Sequence, residues 1–165
     1  MQQVPLLLIS ELLDKTRGGQ WFTRLDLKHV YSLIRIAAGD ERKTAFHAQQ
    51  GLNEYTVMPF GLTKALALFQ EMMDTIFKAM KGCICYLHDI LTYGGNIQAK
   101  HYAIVEKLLQ QYVNHGPAVI LLKGKFQVHE TIFLEYVINS QEVKMDPSKL
   151  ETMSKWPIPT KKKEV

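Results

Sequence analysis

A chain of 165 residues, 47% hydrophobic and 22% charged, is long enough for one domain with a full core and too apolar for disorder. Its net charge of +4, pI near 9.0 and mean hydropathy of −0.10 are mildly basic, which suits a nucleic-acid partner without requiring one. No apolar run approaches the ~18 residues needed to span a bilayer, the first ten residues lack the basic start and cleavage site of a signal peptide, and Cys83 and Cys85 are too few for a disulfide scaffold or a four-ligand zinc site.

The two cysteines read as strand residues pointing to opposite faces. In chain order, Ile9 to Lys15 predicts a short helix closed by Gly18-Gly19. Trp21 to Leu27 and Tyr31 to Ile36 predict strands, the second from its period of two. Lys43 to His47 and Glu54 to Met58 are expected to pair as a hairpin. From Leu62 to Met80 the apolar residues keep helical spacing, which gives a helix of about 28 Å. Cys83 to Leu87 and Ile90 to Tyr93 flank the polar pair His88-Asp89, the pattern of a tight hairpin. A second helix is expected over Gln98 to Asn114, further strands over Ala118 to Leu122 and Thr131 to Ile138, and a last helix over Pro147 to Lys155. The irregular mixture predicts an α+β sheet with helices on one face. Lys144 to Val165, with six lysines against three acids, reads either as a basic stretch suited to nucleic acid or as a solvated tail. The scattered histidines show no metal-ligand spacing and read as surface or core-satisfied residues.

Two acids stand where a carboxylate is expensive. Asp26 ends the apolar strand Phe22-Thr23-Arg24-Leu25-Asp26-Leu27, and Asp89 sits among apolar residues at the hairpin tip. Hard divalent cations take such oxygen ligands, and a pair of ions can clamp the attacking and leaving oxygens of a phosphoryl transfer. For either acid alone, a turn residue or helix cap is the plainer reading.

The blocks Glu11-Leu12-Leu13-Asp14, Leu25-Asp26-Leu27, Ile34-Arg35-Ile36, Lys43-Thr44-Ala45-Phe46, Met58-Pro59-Phe60-Gly61-Leu62-Thr63, Phe69-Gln70, Tyr86-Leu87 with Asp89-Ile90-Leu91, and Phe133-Leu134 carry more. In order and spacing they resemble the fingers and palm of reverse transcriptases from gypsy-class long-terminal-repeat retrotransposons. The resemblance implies a polymerase palm, α+β with an antiparallel central sheet and packed helices, plus partial fingers over residues 1–165. Thumb, connection and ribonuclease H would lie outside it. It implies an intracellular RNA-directed DNA polymerase domain of a retroelement polyprotein, acting on an RNA or DNA template-primer and dNTPs with two Mg²⁺ ions.

By the same resemblance, Asp26 and Asp89 are the catalytic, metal-holding aspartates. Tyr31 is the gate beneath the incoming sugar, or else an ordinary strand aromatic. Phe60 and Gly61 lie against the nascent base pair, and Gln70 lies near the template. Lys43, with Arg42 beside it, meets the triphosphate. Lys123 is the palm lysine near the leaving pyrophosphate, or an exposed lysine. Phe133-Leu134 opens the primer-grip hairpin.

Departures from the family pattern fall on these positions. The metal turn Tyr-x-Asp-Asp reads Tyr86-Leu87-His88-Asp89, so an imidazole stands at a catalytic position where the site needs an anion. Lys64, Leu66 and Leu68 replace the usual Asn, Pro and Thr, and Glu135 replaces the primer-grip Gly. The alternative to a working polymerase is therefore a decayed, catalytically dead remnant that is at most a weak nucleic-acid binder or interaction module.

Overall fold

Helix α1 (Ile9–Lys15) forms as expected in the computed structural model, which describes residues 8–27, 30–115 and 124–155. It buries Leu12 and Leu13 and ends where the Thr16 hydroxyl donates to the Leu13 carbonyl at 2.7 Å. Strand β1 (Trp21–Asp26) follows. It pairs with β5 (Asp89–Gly94) and β6 (Lys125–Val128), and β4 (Cys83–Tyr86) completes an antiparallel sheet in the order β4-β5-β1-β6.

Both faces of this sheet are covered. Alternation sends Thr23 and Leu25 to one face and Phe22, Arg24 and Asp26 to the other. Helices α2 (Ala65–Phe77) and α3 (Gln98–His115) cover the first face, where Phe69, Met73 and Leu108 pack on Leu25, Cys85 and Ile90. On the second face Leu12 of α1 packs with Phe22, Ile84 and Leu91, so the helices are divided between two faces. The same cluster takes Phe133 and Ile138 from a hairpin of β7 (Glu130–Phe133) and β8 (Tyr136–Asn139). Strand β9 (Val143–Met145) extends that hairpin, and α4 (Pro147–Ser154) follows it. Phe22, Leu25, Ile90 and Leu91 are each 0% exposed, and burying each such side chain contributes ~1.5–3 kcal/mol.

Several expectations are corrected. The stretch 31–36 is not one strand: a 3-10 turn spans Val30–Leu33, and a bend at Ile34 leads into an isolated bridge at Arg35. There Met58 N–H donates to Ile34 O at 2.8 Å, Ile36 N–H donates to Thr56 O at 3.1 Å, and Arg35 bridges Val57. The hairpin expected from 43 to 58 contracts to β2 (Phe46–Ala48) and β3 (Gly51–Asn53), with Glu41–Thr44 forming a second 3-10 turn. Helix α2 covers 13 residues, about 20 Å, because the left-handed Gly61 (φ +94°) and a turn through Thr63-Lys64 precede it. Gly82 takes φ +80°, and a Cβ there would stand 2.9 Å from the Tyr93 carbonyl, so no other residue fits this approach to β5.

The single strand expected over 131–138 is the β7–β8 hairpin. Cys83 and Cys85 lie on the same face, as positions two apart on a strand must, and both join the core beneath α2 and α3. Burial pushes the Cys83 thiol up to about 12 and raises Cys85 as well, so both are inert free thiols. The expected strand at 118–122 and the run Lys161-Lys162-Lys163 fall outside the described residues.

His101 of α3 is wholly buried, with Nε2 2.8 Å from Thr23 Oγ1 on β1 and its ring against Gly94. Desolvation lowers its pKa, so the folded state keeps it neutral, whereas the unfolded chain protonates it near pH ~6.5. Stability therefore falls as pH drops below ~6.5, because the unfolded state binds a proton that the folded state refuses. Denaturant titrations on either side of that pH should show a larger loss for the native chain than for His101→Gln.

The β7–β8 turn holds Leu134 at φ 49° and Glu135 at φ 70°, the two left-handed residues of a type I′ hairpin. Glutamate in that conformation is strained by ~1–2 kcal/mol, and its exposed ion pair with Lys149 offsets little. Glu135→Gly should raise stability by about 1 kcal/mol, read as a higher denaturant midpoint at unchanged slope.

Candidate active site

The β1–β5 ladder sets the geometry of the two acids. Its register pairs Leu25 with Ile90 and, at its end, Asp26 with Asp89. Directly opposed residues of antiparallel strands point to the same face with Cβ atoms ~4.5–5.5 Å apart. The two carboxylates, 63 positions apart in sequence, therefore share one end of one face. Leu87 (φ 51°) and His88 form the two-residue turn joining β4 to β5, and the His88 carbonyl accepts the Leu27 N–H at 2.9 Å. His88 itself is exposed. The turn thus abuts the end of β1, and Asp26, Asp89 and His88 come together as a neighbourhood.

Arg24 is the site residue that sequence reasoning missed. Its Nε and Nη2 donate to Asp89 Oδ1 at 3.3 and 3.0 Å, while Nη1 donates to the Ile132 carbonyl of β7 at 3.0 Å. The pair is largely shielded from solvent, with side chains 29% and 16% exposed. Charge-assisted bonds of this kind contribute ~1.5–3 kcal/mol each. The fork fixes the Asp89 carboxylate against β1 and ties the β7–β8 hairpin to the central sheet. The available signal was alternation: Arg24 lies two residues before Asp26 and must share its face. A cavity of about 450 Å³ opens beside Arg24 and Asp89, with Leu134, Glu135 and Lys149 along its wall.

Gln70 is placed differently from its expected position near the template. It is 2% exposed, inside the core at the edge of the sheet. Its Oε1 accepts the Leu87 N–H at 2.7 Å, and its Nε2 donates to the Cys85 carbonyl at 3.1 Å and to Asp74 Oδ1 at 2.8 Å. The side-chain amide thus occupies the place of a neighbouring strand and locks the Leu87-His88 turn. The physical reason is helical spacing: Gln70 shares the buried stripe with Met73 and Phe77, so its polar atoms need partners inside.

The remaining positions are more peripheral. Phe60 is 82% exposed, on the loop with Gly61 that leads into α2. Lys64 provides no side-chain cap, and Leu66 and Leu68 are half-exposed on the first turns. Lys43 is exposed on the second 3-10 turn and pairs with Asp40 at 2.7 Å. Tyr31 lies on the first 3-10 turn, and its side chain is outside what the structure describes, as is Lys123 altogether.

As a donor set for hard cations, the site is short. It offers two carboxylates, one of which already accepts two bonds from a guanidinium, and an imidazole in place of a third oxygen donor. Among the described residues no group of three or more His, Cys, Asp or Glu side chains is gathered to hold a metal ion. The arrangement does not fit two Mg²⁺ ions.

Comparison with known proteins gives a consistent result. The sequence pattern of the family described as reverse transcriptase (RNA-dependent DNA polymerase) matches residues 2–153. The chain is 35% identical over 163 residues to the Transposon Tf2-3 polyprotein of Schizosaccharomyces pombe and 34% identical to the Transposon Tf2-7 polyprotein of the same yeast. In both cases 98% of the chain is covered but only 12% of the polyprotein, so the chain spans about an eighth of these relatives' length. The foamy viral protease-reverse transcriptase in complex with an RNA/DNA hybrid superposes with a TM-score of 0.87 at 20% identity, covering 99% of this chain and 22% of that one. A second structure of it, with double-stranded DNA, gives 0.88 at 21% identity, covering 99% and 28%.

The Gln70 network generates a direct test. Gln70→Met strands the Leu87 N–H and the Cys85 carbonyl, each loss costing ~1–3 kcal/mol. The variant should unfold at lower denaturant, and the Leu87 amide should exchange faster than amides in the centre of β5.

Proposed function

Because this chain belongs to the reverse transcriptase (RNA-dependent DNA polymerase) family, we propose that it is the fingers-and-palm part of a retrotransposon polyprotein's polymerase. In this reading it extends a primer with dNTPs along an RNA or DNA template inside the cell. The observation that carries the reading is the opposition of Asp26 and Asp89 across β1 and β5, beside the Leu87-His88 turn. Agreement with the family over nearly the whole chain favours a polymerase domain over a decayed remnant.

The family acts with divalent metal ions, and Asp26 and Asp89 are the side chains proposed to meet them. Two carboxylates, one of them already held by a guanidinium, fall short of the donor set for a pair of ions. What the chain's own residues supply is positional. Gln70 holds the turn, Arg24 holds Asp89, and Asp26 remains the carboxylate with no ion pair among the described residues. Phe60 and Gly61 are proposed to lie against the nascent base pair, Tyr31 beneath the sugar, and Lys43 and Lys123 at the triphosphate and pyrophosphate. Gln70, whose amide is engaged inside the core, serves the turn and not the template in this reading.

His88 limits this site. An imidazole in place of a carboxylate leaves it one anion short, and each ten-fold loss of rate corresponds to about 1.36 kcal/mol of barrier. With this sequence placed in the frame of a full-length transposon polyprotein, primer extension should be slow. His88→Asp should accelerate it by about a hundred-fold or more, and Asp26→Asn in that background should abolish it. Equal rates for the native and His88→Asp chains would remove His88 from the account.

A further inference from the structure

The sheet is covered on both faces, but its β4 side is an edge. Because the two-residue turn makes Tyr86 and Asp89 a hydrogen-bonded pair, bonding alternates along β4, and Tyr93 N–H to Gly82 O at 2.9 Å continues that alternation. Cys83 and Cys85 therefore turn their backbone groups away from β5. The Cys85 carbonyl is met by Gln70. The Cys83 N–H, the Cys83 carbonyl and the Cys85 N–H have no partner among the described residues.

This edge forms the floor of a cleft of about 570 Å³ between α1 and the end of α2. Leu12, Phe77 and Met80 give it apolar walls, and Lys15, Lys78 and Lys81 stand at its rim against one acid, Asp74. None of the three lysines has an ion pair among the described residues, whereas Asp74 already accepts the Gln70 amide. Open backbone donors and acceptors, apolar walls and an unneutralised basic rim together match one kind of occupant.

We propose that this cleft docks an extended acidic peptide segment of another polypeptide, which adds to β4 as a fifth strand. The incoming backbone accepts from the Cys83 and Cys85 N–H groups and donates to the Cys83 carbonyl. Its central apolar side chains lie on Phe77, Met80 and Leu12, and its acids meet the three lysines. A nucleic acid would use the lysines but leave the backbone edge unpaired, so the edge favours a peptide. The cleft lies on the β4 edge with β5 between it and β1, and the proposal does not depend on the polymerase reading.

The test is hydrogen exchange on the intact chain with the capped hexapeptide Glu-Glu-Val-Val-Glu-Glu. Saturating peptide should slow exchange at the Cys83 and Cys85 amides and leave Ile84, already bonded to β5, unchanged. Lys78→Glu with Lys81→Glu, both exposed, should weaken binding about ten-fold or more. A peptide N-methylated along its backbone should fail to bind the native chain. Unaltered exchange at Cys83 and Cys85 would overturn the proposal and leave the lysines as guards of a bare edge. So would equal binding by the charge-reversed chain or by the N-methylated peptide. Protection of the same amides by a short oligo-dT that displaces the peptide would assign the cleft to nucleic acid instead.

Discussion

Everything in this fold hangs on the antiparallel ladder between β1 and β5. Six consecutive residue pairs, from Trp21 with Gly94 to Asp26 with Asp89, fix which side chains face α2 and α3 and which face α1 and the β7–β8 hairpin. A slip of one residue would send Leu25 and Ile90 out of one core and Phe22 and Leu91 out of the other. It would also carry Asp26 beneath the helices, where an unpaired carboxylate is intolerable. The packing that stabilises the sheet and the register that juxtaposes the acids are thus one constraint.

The site is built with supports of unequal kind. Asp89 is held by a side chain, the Arg24 fork, which also reaches the Ile132 carbonyl. The turn before it is held by an amide that imitates a strand, Gln70. Neither support touches His88, which projects into solvent from an otherwise well-fastened turn. Replacement there leaves the packing intact. This is how a chain can match its relatives across 98% of its length while carrying an imidazole at an exposed position of the turn.

Much of this was legible in the sequence, for identifiable reasons. The β4–β5 hairpin was marked by two apolar runs around a polar pair, and α3 by its helical period. The 31–36 stretch misled because alternation of apolar and polar residues also arises when a 3-10 turn precedes a short bridge, as at Val30–Leu33. By residue pattern Thr131 to Ile138 read as one strand because Leu134-Glu135 lacks the Asn or Gly that announces a type I′ turn, and only the family resemblance at Phe133-Leu134 pointed to a hairpin. Gln70 and Arg24 escaped notice for another reason. Their partners are backbone atoms and one distant carboxylate, and no local pattern records which strand will lie alongside. For Gln70, however, a polar residue on an apolar helical stripe was itself a sign of a buried partner.

The Arg24 fork also imposes an order in time. Its two attachments reach 65 and 108 residues along the chain, to Asp89 and to Ile132. Closing the longer loop costs only about 0.5 kcal/mol more entropy than the shorter one, so the separation barely affects final stability. Its effect on assembly is larger, because contacts this distant in sequence are late and slow to form. During synthesis β1 leaves the ribosome long before either partner exists. Until β5 and then β7 emerge, the guanidinium and the apolar face around it have no assigned neighbours. The acids at the end of β1 and β5 therefore acquire their final placement only when nearly the whole of this segment has been made.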